Sequence, residues 1–257
     1  MYPYINVFGK LIGTYGVCMV IGVMLCAWLS IRRGKTMGVR SEDIIIVITT
    51  AVGIGLLCGS LLYIFVTYPM DVIIQMIKSG EITKLQGGIV FYGGLIGGLL
   101  GAMLGTKIAK CRFGDILNSV VPFIPLGHAI GRVGCVMAGC CHGKQYDGFL
   151  AIHYPRSVLG VSPEQGYFPV QPLESLFNLI IFGTLLLIAR KAKRGVTLLG
   201  AYLSMYAVAR FILEFFRGDE SRGIYFGVSL SQWISFGLFA VGALCIIFGA
   251  KKKSADV

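Results

Sequence analysis

The sequence predicts an all-α fold: a polytopic integral membrane protein of about seven transmembrane helices, with the N-terminus outside and the C-terminus cytoplasmic. Three observations carry that expectation. Of 257 residues, 56% are hydrophobic and only 14% are charged, against roughly 25% charged in soluble domains, and the mean hydropathy is +0.79. Uncharged runs of membrane-spanning length recur along the chain, and short basic blocks separate alternate runs.

The first run, Leu11–Ile31, carries no charge and at 1.5 Å per residue crosses a hydrocarbon core of about 30 Å. The segment before it, MYPYINVFGKLIG, lacks a basic n-region and a small-residue cleavage site. The run is therefore read as a retained helix rather than a cleaved signal peptide. Further runs follow at Ile44–Val66, Ile89–Ala109, Ile116–Met137, Leu173–Ala189, Thr197–Phe216 and Leu230–Ala250. The 36 glycines suit helices that approach closely in lipid.

Orientation follows from the basic residues. Arg32, Arg33, Lys35 and Arg40, then Lys107, Lys110 and Arg112, then Arg190, Lys191, Lys193 and Arg194, then Lys251, Lys252 and Lys253 all fall on one side. By the positive-inside rule that side is cytoplasmic. The opposite side owns two longer segments, about 67–88 and 139–171, and the whole of 1–257 reads as a single domain. The net charge of +11 is accounted for by this topology. No aromatic residues interleave with the basic blocks as a nucleic-acid platform requires, so no nucleic acid is expected as a partner.

Charges inside apolar runs are expensive and mark function. Arg132 lies near the outer end of the fourth run and Arg210 lies in the sixth. A guanidinium is a planar fork that matches a phosphate with two parallel hydrogen bonds, so two of them facing one cavity would bind an anionic lipid headgroup. Both can also be paired within the protein, Arg210 with Glu214 one turn on and Arg132 with Glu174, and pairing is compatible with binding. Tyr92 sits between glycines in QGGIVFYGGLIGG, Gln86–Gly98, either as a hydroxyl at a close-approach site or as part of a packing face.

Of eight cysteines, Cys18, Cys26, Cys58 and Cys245 lie within apolar runs and read as packing. Cys135, Cys140 and Cys141 precede His142 with C-x4-C-C-H spacing, unlike the usual C-x2-C zinc pattern. A disulfide between Cys135 and Cys140 and a nucleophilic thiol are further readings. Small packing residues in a Gly-rich turn are expected, with no metal and no cofactor. His128 and His153 are expected to be structural.

These segments together resemble the prolipoprotein diacylglyceryl transferase family over nearly the whole chain. IGTYG (Ile12–Gly16) resembles the family's first-helix Tyr-Gly, and FYGGLIGG its HGGLIG segment. PFIPLGHAIGRVGCVMAGCCHG resembles its signature, PVQPLE (Pro169–Glu174) its HPSQ-like entry to the fifth helix, and YAVARFILEFFRGD its Tyr-x-x-x-Arg…Glu-Phe-Phe-Arg element. The resemblance implies transfer of diacylglyceryl from phosphatidylglycerol to the lipobox cysteine of preprolipoproteins, with glycerol phosphate leaving, at a bacterial plasma membrane. It implies catalytic roles for Arg210, Tyr92, Tyr15 and Glu214, and substrate binding by Arg132, Gly131, Gly143 and Arg217, with Cys135, Cys140 and Cys141 as further site candidates. The chain departs from the family pattern at Tyr92, where the family has His, at Cys135 and Cys140, where it has Asn and Glu, and at Ser60, where it has Arg. A related lipid transferase with another acceptor and a non-catalytic lipid-binding or transport protein are the alternatives.

Overall fold

The computed structural model describes residues 3–7, 9–79, 88, 90–155, 162–192, 194–218, 224–225 and 227–251. Lys193, Lys252, Lys253 and Gln86, and most of 80–89, lie outside the described residues. Helices dominate, as expected. Six helical stretches are long and apolar enough to cross a membrane: Thr14–Thr36, Ser41–Thr67, Phe113–Ala138, Val170–Lys191, Gly195–Glu214 and Leu230–Gly249. The third apolar run is also helical, over Phe91–Ala109.

The chain divides into two compact units, one of Met1–Ser30 with Leu117–Val257 and the other of Ile31–Ile116. The second unit is organised by α2 (Ser41–Thr67) against α4 (Phe91–Ala109), with the short α3 (Met70–Ser79) between them in sequence. The α2–α4 contact is built from glycine. A Cβ at Gly97 would stand 2.7 Å from the Ile54 carbonyl oxygen, and one at Gly93 would stand 2.6 Å from that of Cys58. The backbones touch directly, which is how helices gain packing in lipid. Gly97→Ala is therefore expected to destabilise this pair by about 1–3 kcal/mol, read as a lower melting temperature in detergent.

In the first unit the chain opens on a hairpin, β1 (Tyr4–Val7) and β2 (Lys10–Gly13), turning at Gly9 with φ +80°. The first helix, α1, accordingly begins at Thr14 and not at Leu11: antiparallel pairing with Tyr4–Val7 claims the residues before it. The fourth apolar run is not one continuous helix either. α5 (Phe113–Val120) passes through a 3-10 turn at Val121–Phe123 into α6 (Ile124–Ala138). Pro122 and Pro125 supply the reason, since neither can donate a backbone hydrogen bond.

α6 then packs on α7 (Val170–Lys191), α7 on α8 (Gly195–Glu214), and α8 on α9 (Leu230–Lys251). Val121, Ile181, Leu185, Ala189, Leu198 and Tyr206 form the buried apolar cluster under them. Two further hairpins, β3 (Ile152–His153) with β4 (Gly166–Tyr167) and β5 (Ile224–Tyr225) with β6 (Val228–Ser229), lie in the connections. α1 reaches this unit through small residues: Gly131 of α6 faces the Met19 sulfur, and Gly134 faces Cys18 and Tyr15.

Candidate active site

The buried polar groups of the first unit gather around one carboxylate. Glu174, on the first turns of α7, is 1% exposed. Its Oε1 lies 2.8 Å from Nη2 of Arg132 on α6, accepts a hydrogen bond from the Tyr206 hydroxyl on α8 at 3.3 Å, and stands 3.6 Å from His128 Nε2. The His128 ring packs on Tyr206 at 5.1 Å between centroids. Asn178 donates to the Glu174 backbone carbonyl at 2.8 Å within α7, and Ser175 donates to that of Ala129 at 3.0 Å, which ties α7 to α6.

A second ion pair lies one turn along α8. Arg210 Nη2 is 2.6 Å from Glu214 Oε2 and donates to the Ser231 hydroxyl on α9 at 3.3 Å. Ser229 donates to the other Glu214 oxygen at 3.0 Å. Tyr206, Arg210 and Glu214 follow each other at four-residue spacing, which sets them on one face of α8. Both expected pairs, Arg132–Glu174 and Arg210–Glu214, are thus present.

The two pairs are neighbours. Arg132, His128, Arg210 and Arg217 all lie within electrostatic reach of Glu174. Among the described residues, three guanidinium groups therefore surround two carboxylates. That leaves one unit of positive charge in a largely buried region, and such a region favours an anion. Two donors remain available: Arg132 Nε and Arg210 Nη1 are buried without a hydrogen-bond partner among the described residues.

Arg217 is positioned by the loop after α6. Gly143 pairs with Arg217 in an antiparallel bridge, and Lys144 N donates to the Phe216 carbonyl at 2.9 Å. Phe168 stacks on Phe216 at 4.6 Å. A Cβ at position 143 would stand 2.9 Å from the Phe216 carbonyl oxygen, so only glycine allows this approach. Gly143→Ala is expected to push the loop off Arg217 and to cost about 1–3 kcal/mol, read as a lower melting temperature of detergent-purified protein.

Tyr15, in the first turn of α1, lies within electrostatic reach of Arg132 and of Cys135, Cys140 and Cys141. Gly131 serves the α1–α6 contact. Tyr92 belongs to the other unit, half-buried at the second residue of α4, as does Ser60 of α2. The three cysteines come together: their sulfurs all lie within 4.8 Å of one another, as free thiols, with Arg132 Nη1 3.9 Å from Cys135 Sγ. Hydrogen bonds from Cys135 and Cys140 hold the Cys141 thiol below the ordinary thiol range, and Arg217 and Arg132 act in the same direction.

Sequence reasoning missed several members of this constellation. Tyr206, Ser229 and Ser231 were not singled out. The signal for the α7 residues was present: Gln171, Glu174, Ser175 and Asn178 form a polar stripe at helical spacing in an otherwise apolar run.

A family model for prolipoprotein diacylglyceryl transferase matches residues 4–248. The chain belongs to that family. It is 33% identical over 238 residues to a phosphatidylglycerol–prolipoprotein diacylglyceryl transferase of Clostridium tetani, covering 92% of this chain and 93% of the relative. It is similar to the protein named phosphatidylglycerol–prolipoprotein diacylglyceryl transferase 2 of Clostridium perfringens, at 30% identity with 93% and 91% covered. It is also similar to the phosphatidylglycerol–prolipoprotein diacylglyceryl transferase of Bacillus cytotoxicus, at 30% identity with 94% and 89% covered. Membership of this family agrees with the apolar helices in making the chain a multi-pass membrane protein.

Proposed function

We propose that this protein is a transferase of the outer leaflet of a bacterial plasma membrane. It moves the diacylglyceryl group of phosphatidylglycerol to the lipobox cysteine of preprolipoproteins. In this reading seven helices cross the membrane with the N-terminus outside, and the whole chain acts as one transferase domain. One observation supports it: Arg132, paired with Glu174, and Arg210, paired with Glu214, come from separate helices, both act electrostatically on Glu174, and each keeps a buried donor without a partner among the described residues.

The chemistry follows from that geometry. A phosphodiester carries a single negative charge, which matches the unit of positive charge left among Arg132, Arg210, Arg217, Glu174 and Glu214. Attack by the acceptor sulfur on the glyceryl carbon breaks the carbon–oxygen bond, and negative charge builds on the departing phosphate oxygen. Guanidinium donors fixed in place by Glu174, Glu214 and Ser231 stabilise that charge without reorganising. Arg132, Gly131, Gly143 and Arg217 form the lipid-binding part of this reading, and Arg210, Glu214 and Tyr15 the catalytic part. Tyr92 is included by its place in the FYGG segment alone.

The test is direct. Detergent-purified chain given phosphatidylglycerol and a lipobox peptide is expected to release glycerol phosphate and yield a thioether-linked lipopeptide. Folded protein that releases none defeats the proposal. Release without lipopeptide points to another acceptor.

A further inference from the structure

The turn that ends α6 builds something that the reaction above does not use. The helix closes at Gly139, with φ +74°, and two residues later Cys141 holds φ +59°. A residue other than glycine in this region costs about 1–2 kcal/mol, and here the cost accompanies a specific result. The chain doubles back, so that Cys140 and Cys141 join Cys135 of α6 with all three sulfurs within 4.8 Å of each other. The turn is braced from α7, where the Gln171 amide donates at 2.8 Å to the Cys140 carbonyl and at 2.7 Å to the Tyr154 hydroxyl.

From this cluster we infer a zinc-type metal site, with Cys135, Cys140 and Cys141 as three thiolate ligands and a fourth position open to an incoming thiol. The inference rests on the transferase reading for the identity of that thiol. Three sulfurs bound to one zinc at about 2.3 Å in a tetrahedron stand about 3.8 Å apart. The cluster is within about 1 Å of that spacing, a shift that side-chain torsions of exposed and half-buried cysteines supply. Soft thiolate ligands select zinc or copper(I) over magnesium or calcium. Three protein ligands, not four, are what a zinc site needs if it is to bind a further group. His142 does not fill that place: its Nδ1 is 3.1 Å from the Gly143 carbonyl, and its ring packs edge-on to Tyr167 at 4.8 Å.

The open position has a use. A cysteine thiol has an ordinary pKa near 8.5, so at neutral pH only a few per cent is thiolate. A thiol that coordinates zinc is deprotonated outright. The acceptor thiol binds at the fourth position and gives its proton to water. Its sulfur then attacks the glyceryl carbon, and the carbon–oxygen bond to phosphate breaks. The oxygen leaves with the bonding pair as glycerol phosphate, which takes up one proton. The neutral thioether is a poor ligand and departs, and the ion keeps its valence throughout.

The experiment is elemental analysis of full-length chain purified in detergent without chelator, followed by cobalt(II) substitution. About one zinc per chain is expected, falling at least about tenfold in Cys135→Ser and retained in Arg210→Ala. The cobalt form should show sulfur-to-metal charge-transfer bands. Its visible bands should shift on addition of a lipobox peptide, but not of the same peptide with Ser in place of the acceptor Cys. Wild-type protein stripped by chelator and reloaded guards against a serine variant that fails to fold. The inference is overturned by a folded chain that takes up no stoichiometric metal, by a disulfide among these cysteines in protein isolated without reductant, or by a cobalt spectrum indifferent to the thiol. Full-rate glycerol phosphate release after zinc removal also overturns it and leaves the transferase reading intact. A cobalt spectrum that responds to the thiol in a chain releasing no glycerol phosphate upholds the metal site and sinks the transferase reading.

Discussion

Replacing Arg132 by Ala is expected to lower glycerol phosphate release by about 100- to 1,000-fold, the usual effect of deleting one preorganised donor to a developing anion. Arg132→Lys should recover little of this, because a point charge cannot present two parallel donors to a phosphate. The substitution also strips Glu174 of its 2.8 Å partner, and a buried carboxylate left alone lowers stability. Activity and folding must therefore be separated. The double variant Arg132→Ala with Glu174→Gln removes the stranded charge, so its melting temperature should recover while turnover stays low. Recovery of turnover along with stability would mean that Arg132 is only a structural partner of Glu174.

Glu174→Gln alone should be the most damaging single change to stability. It leaves Arg132, Arg210 and Arg217 opposed by Glu214 only, in a region where Glu174 itself is 1% exposed. Removing one partner of a buried ion pair costs about 3–5 kcal/mol, which for a chain of this size lowers the melting temperature by about 10 °C. Added phosphatidylglycerol should restore part of the loss, because a ligand that binds only the folded state stabilises it and its phosphate replaces the missing negative charge. A neutral lipid such as diacylglycerol should not. Equal stabilisation by both lipids would show that the arginines do not face the headgroup.

The parts of this arrangement that could be read in the sequence are those dictated by the cost of charge in lipid. Arg132 and Arg210 stood out because a charged side chain within an apolar run is costly. Glu214 followed from helical spacing, and Glu174 was named as the partner of Arg132. Tyr206 and the α7 stripe obey the same spacing rule but carry no formal charge, so they did not stand out. The strands in the connections are two to four residues long, too short for alternation to register. Cys135, Cys140 and Cys141 were singled out, but their convergence could not be read, for a different reason. Its closure depends on positive φ at Gly139 and at Cys141, and residue types with a C-x4-C-C spacing do not announce a left-handed turn at a cysteine. The break before α6 was announced by Pro122 and Pro125, and it falls inside a run apolar enough to mask it.

The most direct test is a structure of the protein bound to phosphatidylglycerol. The lipid phosphate is expected within about 3 Å of guanidinium nitrogens of both Arg132 and Arg210, with Glu174 still holding Arg132 from behind. A phosphate contacting neither arginine, or lying against one while the other faces a separate compartment, would contradict the shared clamp.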